Sequence, residues 1–124
     1  MTNLEFNEKL RGRTRDFSVR VIQFLDNLPF NTATKTLSNQ LCRSATSVGA
    51  NFRAFCRSRS KNELYAKICI VVEEADETVY WLELFDSTNY GDKSELKWLS
   101  GEALEILKIT ASIKAKLSSQ NSSL

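Results

Sequence analysis

The stretch from Ser60 to Ser87 is the feature that most constrains the fold of this chain. Within it, mostly apolar side chains recur at alternating steps of four and three residues: Leu64, Ile68, Val71, Ala75, Thr78, Leu82 and Phe85. That spacing places side chains along one face of an α-helix. Ser60 and Glu63 also have the spacing of a capping box, in which each side chain binds the other residue's backbone amide. The stretch is therefore predicted to be one long helix with a buried face.

Three other segments carry helical patterns of similar length. The first is expected from about residue 3 to residue 28, ending before Pro29, and the second from about residue 33 to residue 56. The fourth helix of the chain is expected to follow Asp92, with an apolar stripe that ends at Leu117. All the links between these segments are short.

Short links make consecutive helices antiparallel neighbours. The sequence therefore predicts an all-α protein, an antiparallel up-down-up-down four-helix bundle. We expect the bundle to comprise residues 1–117 and a flexible tail to comprise residues 118–124.

Length and composition favour a single domain without a membrane span. The chain has 124 residues, which is the size of one hydrophobic core. No apolar run approaches the roughly 20 residues that cross a bilayer, and the first residues lack the apolar core of a signal peptide. We therefore expect a cytoplasmic protein that does not contact membranes. The three cysteines form no C-x-x-C pair, which favours small buried side chains over a disulfide or a zinc site.

The chain has no histidine, which bears on catalysis. It therefore lacks the usual general base and the Ser-His or Cys-His nucleophile pairs, and it has no Gly-rich phosphate loop. The carboxylates at the centre of the third helix could be compared with the metal sites of di-iron bundles, but those sites also use histidine. We expect no enzyme activity, no cofactor and no metal. A metal retained through purification would favour the alternative.

The charge is distributed unevenly along the chain. Residues 1–72 hold twelve Lys and Arg against five Asp and Glu, a balance of +7, whereas residues 73–124 have a balance of −5. A basic half can pair with the acidic half or bind a polyanion. The candidate nucleic-acid-binding residues are in the first helix and at the link between the second and third: Arg11, Arg13, Arg15, Arg53, Arg57, Arg59 and Lys61. The alternative for these residues is an ordinary solvated surface.

A predicted polar network lies between the second and third helices. If the turn is centred between Arg59 and Ser60, Arg43 lies level with the acidic residues of the third helix, and its expected partners are Glu73, Asp76 or Glu77. Such a pair, if partly buried, would cost on the order of 3–5 kcal/mol to break by removing one member. Asn51 is interpreted as a buried polar group that fixes the register of the helices.

Apolar residues off the main stripe predict a subunit interface. The third helix carries a second apolar line, so it is expected to contact neighbours on two sides. The candidate interface residues are Ile70, Trp81, Leu84 and Trp98. A protein-interaction scaffold is therefore a third hypothesis beside an enzyme and a nucleic-acid-binding protein.

Three motifs of the second and third helices carry a resemblance to a known family. They are QLCRSATSVGAN at 40–51, RSRSKNE at 57–63 and EADETVYWLEL at 74–84. Together they resemble the bacterial four-helix-bundle family named for the 23S rRNA intervening-sequence protein, in particular its stand-alone branch. The positions that match its motifs look like structural or interface residues: Arg43, Asn51, Glu74, Asp76 and Glu77.

The resemblance implies a homo-oligomer, since homopentameric rings are known for the fold, in a family whose members mostly lack an established activity. It also implies kinship with the accessory proteins of diversity-generating retroelements, which bind nucleic acid and a reverse transcriptase. We therefore expect a homo-oligomeric adapter, a pentamer, that binds RNA or DNA through its basic surface and has a reverse transcriptase or another protein as a further partner. The alternative is a protein-protein interaction scaffold that does not bind nucleic acid.

Overall fold

Four long helices make up the protein. The computed structural model describes residues 1–122, with the side chains of residues 1–120. The helices are α1 (Asn3–Leu25), α2 (Thr32–Cys56), α3 (Lys61–Thr88) and α4 (Lys93–Ser122). Each helix packs against the next, and α4 returns to pack against α1, whereas the backbones of the diagonal pairs stay apart within the described residues and meet only through side chains. The predicted all-α four-helix bundle is confirmed.

Two helix ends differ from the predicted bounds by more than one residue. α1 ends at Leu25, three residues before the predicted end, and a turn leads to Pro29. Proline disfavours helical geometry at the residue before it, so the chain leaves the helix early.

The other difference is at the C-terminus. α4 continues to Ser122, whereas the tail was expected to begin at residue 118. Extending an existing helix adds one hydrogen bond per residue and needs no packed face, so the end of the apolar stripe does not end the helix. Residues 123 and 124 of the expected tail lie outside the described residues.

The N-terminus of α3 is capped by Ser60, but the predicted capping box is only half formed. The Ser60 side chain accepts a hydrogen bond from the Glu63 amide at 3.1 Å. The Glu63 carboxylate instead accepts from the backbone amide of Arg59 at 2.8 Å. A complete capping box forms at the start of α2, where the side chains of Asn31 and Thr34 each accept a hydrogen bond from the other's backbone amide.

The predicted stripe of α3 faces the core. All of its members from Ile68 to Phe85 are buried, and Leu64 is half-buried. Phe85 meets Phe24 of α1 edge to face, with ring centroids 5.4 Å apart. Burying each large side chain stabilises the fold by about 1.5–3 kcal/mol, so this stripe holds α3 against the bundle.

α1 and α2 come close together where α2 has small residues. A Cβ built on Gly49 would lie 3.3 Å from Ser18 Oγ and 3.5 Å from the Thr14 carbonyl oxygen. The Ser18 hydroxyl can donate to the carbonyl oxygen of Thr14 at 3.1 Å or of Ala45 at 3.2 Å. This crossing forms the floor of a groove on the outer surface.

The buried polar contact between α2 and α3 is not the predicted one. The hydroxyl oxygens of Thr78 and Ser44 lie 2.9 Å apart in the buried interior, and the Thr78 hydroxyl can donate to Ser44 or to the Glu74 carbonyl oxygen at 2.7 Å. Asn51 is half-buried, and its amide donates at 2.9 Å to the carbonyl and the hydroxyl of Ser47, one turn earlier in the same helix. Both hydrogen bonds stay within α2, so they do not connect Asn51 to a neighbouring helix.

Candidate nucleic-acid interface

The arginines of α1 divide into two groups, and the first group faces α4. Arg13 donates to both carboxylate oxygens of Glu102, at 2.7 and 2.8 Å, and this hydrogen bonding raises the pKa of Arg13. Arg20 binds both oxygens of Glu95 at 3.0 to 3.1 Å, and its guanidinium lies 3.9 Å from the ring centroid of Trp98. These side chains are fixed by α4, so Arg13 is not positioned with the other candidate residues.

The second group lines an open groove of about 500 Å³ between α1 and α2. It is lined by Arg11 and Arg15 of α1 and by Arg53 of α2. The groove exists because the residues between these arginines are small. The remaining lining residues are Glu8, Gly12, Ser18, Thr46, Gly49 and Ala50.

The groove arginines have weak ties to carboxylates. Arg11 bonds Glu8 at 2.6 Å, one turn away, and both side chains are substantially exposed. Arg15 is 3.8 Å from Asp16, and about three quarters of each side chain is exposed. Arg53 is exposed and forms no ion pair with any side chain that the structure describes. The groove therefore presents positive charge that no carboxylate of another helix in the described chain binds, and exposed pairs of this kind contribute little stability.

The remaining candidate residues extend from the groove along α2. Arg57 is exposed and lies one turn beyond Arg53, at the cap of α2. Arg59 and Lys61 are exposed at the link and at the first residue of α3. Neither lines the groove. The seven predicted residues thus comprise three in the groove, three that follow it toward the α2–α3 corner, and Arg13 facing α4.

The predicted network around Arg43 is present in part. Arg43 donates to Glu74 at 3.1 Å and to Glu77, whose other contact is the Trp81 indole N–H at 3.2 Å. Hydrogen bonding to Arg43 lowers the pKa of Glu77. The Arg43 side chain is 49% exposed, so the network lies on the surface.

Two predicted members of that network are outside it. Glu73 and Asp76 are exposed, and neither contacts Arg43. Arg43 contacts Glu74 and Glu77, which come before and after Asp76 in the chain, and Asp76 projects from another side of α3. Residues at the same height share a contact only if they also share a face.

The four expected interface residues do not form one patch. Ile70, Trp81 and Leu84 follow the helical spacing along the side of α3 that carries the Arg43 network. Ile70 is 37% exposed, while Trp81 packs partly against the core. Trp98 is on α4, 40% exposed and stacked with Arg20.

The comparisons with known proteins agree with this fold. A family model described as 23S rRNA-intervening sequence protein matches residues 8–112 of the chain. The chain belongs to this family. The resemblance carried by its motifs is therefore confirmed.

A solved structure is also similar to this chain. It is a protein of unknown function from the S23 ribosomal protein family of Bacteroides thetaiotaomicron, 32% identical in sequence, with a TM-score of 0.75. The match covers 88% of this chain and 97% of that one. The comparison with curated proteins finds no match. The family and the fold are thus shared, whereas the groove has to be interpreted from its own residues.

The described part of the chain contains neither a metal-binding cluster nor a membrane-spanning helix. Among residues 1–122, no group of three or more Cys, Asp or Glu side chains is placed to hold a metal ion. No helix within that described part is long and apolar enough to cross a membrane.

Proposed function

We propose that this protein binds nucleic acid in the groove between α1 and α2, with Arg11, Arg15 and Arg53 holding phosphate groups. The observation that carries the proposal is the contrast between two sets of arginines. Arg13 and Arg20 are each fixed by a carboxylate of another helix, whereas the three groove arginines converge on one groove with no carboxylate of another helix bound to them in the described chain.

The chemistry of the groove suits a phosphate backbone. Guanidinium groups donate two parallel hydrogen bonds to phosphate oxygens and keep their charge at any physiological pH. Binding through phosphates releases counterions from the nucleic acid, which favours association at low salt. None of the lining residues is aromatic, so the groove offers no platform for base stacking. The expected binding is therefore tolerant of sequence.

Self-association would strengthen such binding. The family resemblance implies a homopentameric ring. In such an oligomer each subunit would present one groove, and a long nucleic acid would contact several grooves at once. The partly exposed apolar residues beside the Arg43 network support a subunit contact on another face of the molecule, where Ile70 is 37% and Tyr80 is 51% exposed.

The proposal is tested by titrating nucleic-acid-free protein against labelled duplex DNA and structured RNA. The variant Arg11→Ala/Arg15→Ala/Arg53→Ala should keep its helical content and lose most of its affinity. The matched control is Lys97→Ala/Lys108→Ala/Lys116→Ala, which removes three exposed positive charges from α4. Equal affinity of the two variants would contradict the groove as the binding site.

A second candidate function is that of a protein-interaction scaffold, with a reverse transcriptase or another protein as its partner. It is favoured by the same apolar residues beside the Arg43 network. The scaffold replaces the first proposal if light scattering detects a stable oligomer and the titrations detect no nucleic-acid binding.

A further inference from the structure

The hydroxyl groups on the floor of the groove have already used their hydrogen atoms. Thr46 Oγ1 donates to the Cys42 carbonyl oxygen at 2.7 Å, and Ser18 Oγ donates to the carbonyl oxygen of Thr14 or Ala45. A hydroxyl has one hydrogen to donate and two lone pairs that accept. Toward a ligand in the groove, both oxygens therefore act as hydrogen-bond acceptors.

The three arginines that line the groove have the opposite character. The guanidinium groups of Arg11, Arg15 and Arg53 can only donate. Phosphate oxygens only accept, so a phosphate can bind the arginines but forms no hydrogen bond with the Ser18 and Thr46 oxygens. A ligand that matches the whole groove combines phosphate groups with a hydroxyl donor close to them.

RNA has this combination and DNA does not. The ribose 2′-hydroxyl can donate as well as accept, and it distinguishes RNA from DNA at a given site. We propose that the groove binds RNA in preference to DNA, with Ser18 and Thr46 accepting hydrogen bonds from ribose 2′-hydroxyl groups while the arginines hold the phosphates. This inference rests on the proposed function, because it assumes that the arginines bind the backbone.

The test compares three single strands of one sequence: RNA, DNA and 2′-O-methyl RNA. One or two net hydrogen bonds predict that RNA binds roughly tenfold more tightly than DNA. The 2′-O-methyl strand keeps the oxygen but loses its hydrogen, so it should bind about as weakly as DNA.

The variant Thr46→Val removes one acceptor from the floor and keeps the shape of the side chain. It should lower the affinity for RNA severalfold and leave the affinity for DNA unchanged. Thr88→Val is the matched control, since Thr88 also donates to a carbonyl of its own helix, that of Leu84 at 2.7 Å, at the far end of α3. It should leave both affinities unchanged.

The outcomes separate this inference from the proposed function. Equal affinities for RNA and DNA, both lost in the triple arginine variant, would overturn the preference and leave phosphate binding in place. A preference for RNA that persists in full in both Thr46→Val and Ser18→Ala would overturn the assignment to the floor hydroxyls. Binding of neither strand would overturn the proposed function and this inference together.

Discussion

Arg13 and Glu102 face each other between α1 and α4, with Nε and Nη2 of the guanidinium donating to the two carboxylate oxygens at 2.7 and 2.8 Å. The Glu102 side chain is 14% exposed, and that of Arg13 is 39% exposed. An arginine held in this way positions two helices. Arg15, two residues further along α1, lines the open groove instead.

Arg13→Ala should therefore reduce stability and leave nucleic-acid binding unchanged. The substitution leaves a mostly buried carboxylate without its partner, which we expect to lower the free energy of unfolding by about 1–2 kcal/mol. Urea denaturation measures the loss. Arg15→Ala is the comparison, because it should lower the affinity and barely change the unfolding curve. Weaker binding by a stable Arg13→Ala protein would place Arg13 in the interface after all.

Arg43→Ala should destabilise the protein far less than a buried pair would require. Its side chain is half-exposed, and exposed ion pairs contribute about 0–1 kcal/mol. If urea denaturation shows that Arg43→Ala lowers the free energy of unfolding by more than about 3 kcal/mol, the pair behaves as a buried one and this prediction is wrong.

The Arg43 network also predicts a small dependence of stability on pH. Because Arg43 lowers the pKa of Glu77 in the folded protein, the contribution of Glu77 is present above its unfolded pKa and is lost as the pH falls through the lowered folded pKa. Arg43→Ala should remove this part of the acid sensitivity. Melting temperatures of the wild type and the variant should therefore converge as the pH is lowered through that range, and a constant difference would contradict the coupling.

Gly91 should not tolerate a side chain. Its φ is +86°, and an added Cβ would lie 2.6 Å from Cζ of the buried Phe24 ring. Gly91→Ala combines an unfavourable backbone conformation with overpacking, so we expect it to lower the free energy of unfolding by roughly 2–4 kcal/mol.

Gly101→Ala is the control for that substitution. Gly101 is in α4 with open space around its Cα, and alanine stabilises a helix interior by about 0.5–1 kcal/mol relative to glycine. Thermal melting should therefore shift in opposite directions for the two variants. A destabilised Gly101→Ala protein would mean that this face of α4 is covered in the folded molecule.

Glu8→Gln should increase the affinity for nucleic acid. Glu8 is the carboxylate that lines the groove, and it binds Arg11. Replacing it with a neutral amide removes repulsion toward phosphates, so a few-fold gain at low salt is expected. Glu5→Gln is the control, since Glu5 is in the same helix but does not line the groove. An equal gain in both variants would indicate a general charge effect.

The helices and their buried faces could be predicted from the sequence because each depends on a local pattern. The alternation from Ile68 to Phe85 identifies the core face of α3 whatever the neighbouring helices are. The local pattern could not predict that Arg13 faces α4 whereas Arg15 lines the groove. Residues two apart project about 200° apart around a helix, and which neighbour each of them meets depends on the handedness of the bundle.

The fine contacts between helices were harder to predict for a related reason. The predicted register placed Arg43 of α2 opposite the acidic residues of α3. Rotation about the axis of α3 decides that Glu74 and Glu77 contact Arg43 and that Asp76 does not. Asn51 finds its partner within its own helix, an option that spacing alone does not distinguish from a contact across helices.

The most direct test of the central claim is the salt dependence of nucleic-acid binding, measured for the wild type and the variant Arg11→Ala/Arg15→Ala/Arg53→Ala. If the groove holds phosphates, the slope of log K against log salt should become shallower by about three in the variant, because each phosphate contact contributes about one unit. An unchanged slope and affinity in the folded variant would contradict the claim that this groove is the nucleic-acid-binding site.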